Sequence, residues 1–417
     1  MSTPDLSIVI PTHQRRAMLA KHLGLLAQQL ASGHACEIVV VADACSDGTE
    51  QMVEEVRGGL PCAVQLISHN LKSASASRNA GGLCARGRTL LFLDDDIEPG
   101  PSLIRAHAAA QTGNTVVLGY SEPAYPAEPS LWQRDARLWW QGMYFQMSRP
   151  GHRFTYRDFF SGNVSLPGEL FRSLGGFDTE LERLEDYELG LRLLKAGARF
   201  VLAPEAAGGH YDRTDLRQWL TRIRLEGKAD VRIAERHPET RPALWGLLTA
   251  RHRLTALVRR YAFAAPDRGD AVANTLLAQV DRLERLRFRR PWRRAVGLLR
   301  EHFYARGVAS ATGGWREFLG WLQDGPAPAA VALDAPLLDL ERLPPANQLA
   351  AILASASADG LRVAWRGAEL GALAPVAGAE PLRLEHLRPW ARSLLRGWFV
   401  HELMLPEPAI REGTAPC

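Results

Sequence analysis

Cysteine is scarce in this 417-residue chain, and the five present (Cys36, Cys45, Cys62, Cys84 and Cys417) form no CxxC pair. An odd, unclustered set suggests neither a disulfide framework nor a zinc site, and it implies a reducing compartment. No stretch approaches ~18 uninterrupted apolar residues, so no transmembrane helix is expected. The opening Met-Ser-Thr-Pro-Asp lacks the basic-then-apolar order of a secretion signal. The expectation is a soluble, cytoplasmic protein, at most peripheral to the inner face of a membrane. Charge of one sign is also lacking: 50 basic against 46 acidic residues leave +4, too small an excess to make nucleic acid a partner.

What the chain does have is apolar material, 46% of its residues, enough for two or three domains at a prior of ~150 residues each. The first 120 residues alternate strand and helix signals. Leu6 to Ile10 is a short β-branched run ended by Pro11, and residues 14–31 carry Leu19, Leu23, Leu26 and Leu30 at helical spacing. Glu37 to Val41, Ala63 to Ile67 and Thr89 to Leu93 are further strands. Helices are expected from Ser46 or Asp47 to Arg57 and around Ser75 to Arg86. Near-continuous apolar strands between amphipathic helices indicate an α/β fold with a parallel sheet covered on both faces. In such sheets ligands bind beyond the carboxyl ends of the strands, so the polar residues after strands one, two and four should gather at one edge.

The character changes near Asp212. Long Arg- and Leu-rich helical patterns run to about residue 322, and Gly325–Pro–Ala–Pro–Ala–Ala reads as a linker. Beyond it lie a strand at Leu361 to Trp365 and a helix near Arg388 to Leu403. The division expected is 1–212 for the ligand-binding catalytic domain, 213–324 for a helical region and 325–417 for a C-terminal extension.

Two constellations carry chemistry. Asp94–Asp95–Asp96 follows an apolar strand, and three consecutive carboxylates repel unless a cation or hydrogen-bond donors compensate them. A divalent ion bridging to a diphosphate would do so; a solvated acidic turn is the alternative. Further on come Phe160–Ser–Gly–Asn163, Gly175–Gly–Phe–Asp178 and a helix starting near Glu185–Asp186. Acids in a first turn often only complement the helix dipole, which is the reading for Glu188. One that faces a cleft can serve as a general base.

The order of these pieces resembles the family 2 glycosyltransferases, which have the GT-A fold, Rossmann-like with a mostly parallel sheet. The matching residues are Ser7–Ile–Val–Ile–Pro–Thr12, Glu37 to Asp43 with Ser46–Asp47–Gly–Thr49, Ser77–Arg78–Asn79–Ala–Gly81, Phe92 to Asp96, Gly162–Asn163 with Gly175–Gly–Phe–Asp178, and Glu185–Asp186. They span residues 5–212, half the chain. The resemblance implies an inverting enzyme that moves a sugar from a nucleotide sugar, most simply a UDP-sugar, to a hydroxyl on a glycan, a lipid-linked acceptor or another molecule. It implies a Mn²⁺ or Mg²⁺ cofactor. Pro11, Thr12 and Asp43 would form the base and ribose pocket. Ala42 stands where the family often has a first acid. Arg78 would lie near the ribose or phosphates, or form a structural ion pair. Asp96 would ligate the metal and Asp94 would support it or contact the ribose, with Asp95 on the donor side. Asp186 would be the general base and Glu185 an acceptor contact. His210 stands where members of this fold place a third ligand.

Asn163, Trp139 and Trp140 are candidate acceptor contacts, and Trp132 and Tyr144 could also stack on sugar rings, although helical aromatics at such spacing are commonly core. Residues 282–306 hold nine arginines against Glu284 and Glu301. That stretch either docks on anionic lipid or is a solvated helix face. Two rivals are a non-catalytic scaffold and a sugar nucleotidyltransferase. The retained Asp94, Asp96 and Asp186 oppose the first. The missing Gly-rich loop after the first strand, which has no glycine before Gly24, opposes the second.

Overall fold

The computed structural model describes residues 4–30, 35–248, 252–326, 330–332, 334–365 and 368–387. The helix expected near Arg388 to Leu403 lies outside them. The chain divides into two compact units, Met1–Met147 with Phe154–Pro328, and Ser148–Arg153 with Ala329–Cys417.

The first unit opens with β1 (Leu6–Thr12), α1 (Arg16–Leu30), β2 (Cys36–Asp43), α2 (Thr49–Val56), β3 (Ala63–His69), α3 (Ala74–Cys84) and β4 (Thr89–Leu93). β5 (Ile97–Pro99), α4 (Leu103–Ala110), β6 (Thr115–Pro123), α5 (Leu131–Met147), β7 (Asn163–Pro167), α6 (Gly168–Ser173), α7 (Glu185–Lys195) and β8 (Arg199–His210) complete the α/β part. Eight strands form one sheet in the order β3-β2-β1-β4-β7-β6-β8-β5. The pairs β3–β2, β2–β1, β1–β4 and β6–β8 are parallel, and β4–β7, β7–β6 and β8–β5 are antiparallel. The expected α/β class with a mostly parallel sheet is therefore present.

Side chains alternate across a strand, and here both sets are apolar and both are buried. Ile8, Ile10, Ile38, Val40 and Leu91 pack with Leu19, Leu23, Leu26 and Leu30 of α1. Val9, Val39, Val41, Leu90 and Phe92 face the other way and pack with Phe171, Phe177 and Leu189. Such two-sided burial explains why these strands read as unbroken apolar runs. β8 is much longer than the Arg199-to-Leu202 strand in the sequence reading. A register shift between Gly119 and Tyr120 lets it continue along β6 to pair Pro123 with His210.

Gly81 sets the approach of α3 to the sheet: a Cβ there would lie 2.3 Å from Val9 Cγ1 and 3.0 Å from Val41 Cγ2. Gly81→Ala is expected to destabilise by about 1–3 kcal/mol through overpacking, although alanine in a free helix gains up to about 1 kcal/mol over glycine. Urea unfolding tests the sign.

The helical part comprises α8 (Leu216–Arg236), a 3₁₀ segment (Pro238–Leu247), α9 (Arg253–Ala264), α10 (Pro266–Arg285), α11 (Arg289–Thr312) and α12 (Trp315–Gln323). It belongs to the same compact unit as the sheet. Leu216 and Leu220 of α8, Leu131 of α5 and Trp292, Val296 and Leu299 of α11 share one core. α8 and α11 cross closely because two glycines meet backbone: a Cβ on Gly307 would fall 1.9 Å from the Arg224 carbonyl oxygen, and one on Gly227 2.3 Å from that of Tyr304. The arginines of 282–306 turn largely to protein partners. Arg289 and Arg293 pair with Asp135, Arg300 with Glu301 and Arg306 with Asp270, while Trp292 and Leu299 are buried.

The second unit holds β9 (Leu337–Asp339), α13 (Ala346–Asp359), β10 (Leu361–Trp365) and β11 (Ala368–Leu373), the strands in the order β11-β10-β9. Leu338, Leu353, Leu361 and Val363 form its core. The strand expected at 361–365 is β10.

Candidate active site

The carboxyl ends of β1, β2 and β4 do converge. The loops after β1, β2 and β3 carry Gln14, Ala44 and Lys72 with positive φ, and Leu184 before α7 does likewise (51–61°). A non-glycine residue there costs roughly 1–2 kcal/mol, and such strain concentrates where a loop must aim functional groups.

The acidic triplet is held from several sides. Asp95 is buried, accepting from Thr12 Oγ1 at 2.7 Å and from Arg15 Nη1 at 2.8 Å. Burial pushes its carboxyl up to about 6, against the opposing pull of Arg15 and Thr12. The same Arg15 nitrogen lies 2.9 Å from Asp96 Oδ2. Asp94 accepts from Arg78 Nη2 at 2.7 Å, and Arg78 Nη1 reaches Glu185 Oε1 at 3.3 Å. Arg78 is itself buried, with its guanidinium over the Phe177 ring, and the carboxylates around it raise its pKa in spite of that burial. It thus joins the end of β4 to the first turn of α7.

Asp96 and His210 come together through strand pairing. Ile97 of β5 pairs with His210 of β8, and Tyr211 N–H donates to the Asp96 carbonyl at 2.8 Å. His210 Nε2 then lies 3.7 Å from Asp96 Oδ1, and neither Asp96 Oδ1 nor His210 Nδ1 has a hydrogen-bond partner although both are buried. A buried oxygen without a donor is costly. The 3.7 Å gap is less than the ~4.2 Å that two ligands at ~2.1 Å from one cation can span, so this pair fits a divalent ion. Among the described residues no three His, Cys, Asp or Glu side chains form a complete ligand group.

Asp186 lies in the first turn of α7, where its Oδ1 accepts from the Tyr187 amide at 2.9 Å. Burial, reinforced by the adjacent Glu185 carboxylate, raises its carboxyl to about 7, opposed by Arg183 and Arg78. Glu188, two residues on, is buried among Arg192 (2.5 Å) and His237 (3.1 Å), a structural ion pair.

Arg15, Arg78, Asp94, Asp96, Glu185, Asp186 and His210 line one cleft of about 1540 Å³. Pockets for a single drug-sized ligand run ~300–1,000 Å³, so this cleft has room for two. Beyond Asp186 its wall passes to the helices, where Arg157 meets Asp230 at 2.8 Å, Tyr304 donates to Asp230 at 2.5 Å, and Arg259 pairs with Glu301 at 2.7 Å.

The aromatic candidates divide. Trp139 is 56% exposed, and both it and Trp140 line the cleft. Trp140 meets the His210 ring edge-on at 5.8 Å. Trp132 and Tyr144 border the cleft as well, but Tyr144 is largely buried in the core, and Trp132 packs on Trp219 and donates to the Thr214 carbonyl. Asn163 also borders the cleft, but its amide is spent internally, on His107 and the Ala206 carbonyl at 2.9 Å each. Pro11 is half-buried near the carboxyl end of β1. Asp43 accepts from the amides of Leu71, Lys72 and Ser73 at 2.8–2.9 Å. These bonds hold its carboxyl below the usual range despite burial and anchor the loop between β3 and α3. Sequence reasoning passed over Arg15 and Arg183. Arg15 could have been found as a cation in the loop that follows β1; Arg183, Asp230 and Tyr304 carry no local signal.

Residues 7–171 match the family model described as Glycosyl transferase family 2. These residues are a family 2 glycosyltransferase domain. Over 314 residues the chain is 28% identical to validoxylamine A glucosyltransferase of Streptomyces hygroscopicus subsp. limoneus, covering 67% of this chain and 68% of that one. It is 27% identical over 252 residues to the pre-mycofactocin glycosyltransferase of Mycobacterium tuberculosis, covering 56% and 48%. A solved structure, the mannosyltransferase PcManGT of Pyrobaculum calidifontis in complex with GDP-Man and Mn²⁺, aligns with 73% of this chain and 86% of its own, at 18% identity and a TM-score of 0.49. The chain thus carries a glycosyltransferase domain, and the cleft is its candidate active site.

Proposed function

We propose that this glycosyltransferase takes a nucleotide sugar, a UDP-sugar first, and passes the sugar with inversion to an acceptor hydroxyl. The observation that carries this reading is the convergence on one cleft of an Asp96–His210 pair, with Asp96 Oδ1 and His210 Nδ1 lacking hydrogen-bond partners, and a carboxylate, Asp186, of raised basicity. The work divides along the chain: 1–212 supplies the donor site and the base, 213–324 the acceptor wall, and 325–417 an extension. The setting proposed is cytoplasmic, where thiols such as the four described ones stay reduced.

Pro11, Thr12 and the loop anchored by Asp43 receive the base and ribose. Asp96 and His210 would hold a divalent ion, supported by Asp94 and Asp95 of the same triplet. A bound Mn²⁺ or Mg²⁺ offsets the charge that builds on the departing diphosphate. Asp186 takes the proton from the acceptor hydroxyl, for which it must be ionised and within ~2.6–3.2 Å of the attacking oxygen. Attack from the face opposite the diphosphate inverts the anomeric carbon. Glu185, fixed by Arg78, orients the acceptor, and Trp139 and Trp140 offer ring faces to a glycan, a lipid-linked sugar or another polyol.

Calorimetric titration with UDP, GDP and dTDP, each with and without Mn²⁺, tests the donor site. One nucleotide is expected to bind in a metal-dependent way. Asp96→Ala should weaken that binding by more than the ~10-fold that even an outer partner of a metal site is worth. Equal affinity with and without Mn²⁺ in both proteins would remove the metal assignment.

A further inference from the structure

We infer that the outward face of α9 docks the enzyme on an anionic lipid surface. This helix presents Leu254, Leu257 and Tyr261 to solvent, at 54%, 56% and 42% exposure. At 100° per residue these three fall within a 60° arc, so they form an apolar stripe along eight residues of the helix, about 12 Å. The opposite side holds the helix in place. Ala262 and Phe263 are buried in the helical core, and Arg259 pairs with Glu301 while donating to the Gly246 and Leu247 carbonyls.

Among the described residues the stripe is an unpartnered apolar face, and the charge around it says what covers it. Between Glu239 and Asp267 the sequence has no acidic residue and five arginines, at 241, 251, 253, 259 and 260. Arg253 and Arg260 are exposed on α9, and the same helical arithmetic sets both on one flank of the stripe. An apolar stripe beside arginines is the pattern of a helix lying in the plane of a membrane interface, where tyrosine also settles. A neutral protein partner would have no use for the missing acids; a phosphate-bearing lipid surface does. By contrast, Arg289, Arg293, Arg300 and Arg306 of the 282–306 stretch are engaged with carboxylates, so α9 has the stronger claim. The 3₁₀ segment before α9 and Arg259 also border the cleft, so docking would bring the acceptor side of the site to the lipid surface. The inference stands on α9 itself and does not depend on the donor assignment.

The test is sedimentation of the full chain with phosphatidylcholine vesicles, with and without phosphatidylglycerol, at low and high salt. The wild type is expected to sediment with the anionic vesicles at low salt and to be released by high salt. Leu254→Ser/Leu257→Ser/Tyr261→Ser should lower that partition by about tenfold or more. Arg253→Glu/Arg260→Glu, which alters only exposed side chains and serves if the first variant misfolds, should lower it by a similar factor. Nucleotide binding should be unchanged in both, so the result is separable from the fate of the donor site. Wild type that ignores anionic vesicles, or variants that partition as wild type does, would overturn the inference. So would a wild-type dimer that the serine variant splits with no change in vesicle binding, which would make the stripe a contact between copies.

Discussion

Asp186→Asn is expected to lower the transfer rate by about 100- to 10,000-fold, the usual worth of a positioned general base, while nucleotide affinity stays as in the wild type. The substitution keeps the shape of the side chain and an oxygen that can accept from the Tyr187 amide. It also removes a charge that sits against Glu185 in a half-buried place, so the urea midpoint should hold or rise. The wild-type pH profile carries the same assignment. A base works only when ionised, and burial with the adjacent Glu185 raises this carboxyl to about 7. Transfer per unit of free enzyme and substrate should therefore fall as pH drops through the region of 7, well above the ~4 of an ordinary aspartate. Near-normal turnover by Asp186→Asn, or an acid limb near 4, would remove Asp186 as the base.

Arg78→Leu should do more to the fold than any other single change at the site. The guanidinium is buried and holds Asp94 and Glu185, which come from elements far apart in sequence. Removing one partner of a buried ion pair costs about 3–5 kcal/mol, because the other charge is left without compensation. The two carboxylates here are 28% and 14% exposed, so water recovers part of the loss and the lower end of that range is expected. Arg78→Lys should fall between, since a single ammonium lacks the planar fork that reaches two carboxylates. Urea unfolding of both variants measures this. A midpoint unchanged in Arg78→Leu would mean that the bridge contributes nothing. Donor binding should weaken as well, because Asp94 loses the group that fixes it.

Much of the catalytic half was legible locally. The apolar runs at Leu6, Glu37 and Thr89 became strands, and Leu19, Leu23, Leu26 and Leu30 all turned inward on α1, because a buried face imposes its period on the sequence. The acidic triplet could be set at a sheet edge from its position after a strand alone. The helix of Glu185 and Asp186 was visible from its apolar spacing and acidic first turn. Other things were invisible for a physical reason. That Arg78 spends its charge on Asp94 and Glu185, and that Asn163 spends its amide on His107 and Ala206, depends on which partners arrive from elsewhere in the chain. The length of β8 rests on a register shift beside Gly119, which leaves no periodic trace.

The sequence by itself determined the class of fold, the family resemblance and the set of acids and bases that any chemistry here must use. Those follow from short-range pattern, since strand, helix and turn signals act over a few residues. The tertiary structure decided how those groups divide the work. Pairing of β5 with β8 brings His210 to Asp96, and Arg15 reaches back to the acids from the far side of the triplet. The crossing of α8 and α11 on Gly227 and Gly307 walls the cleft with Asp230 and Tyr304. Each of those outcomes needs two segments tens of residues apart to meet, and contact at that range is settled by packing.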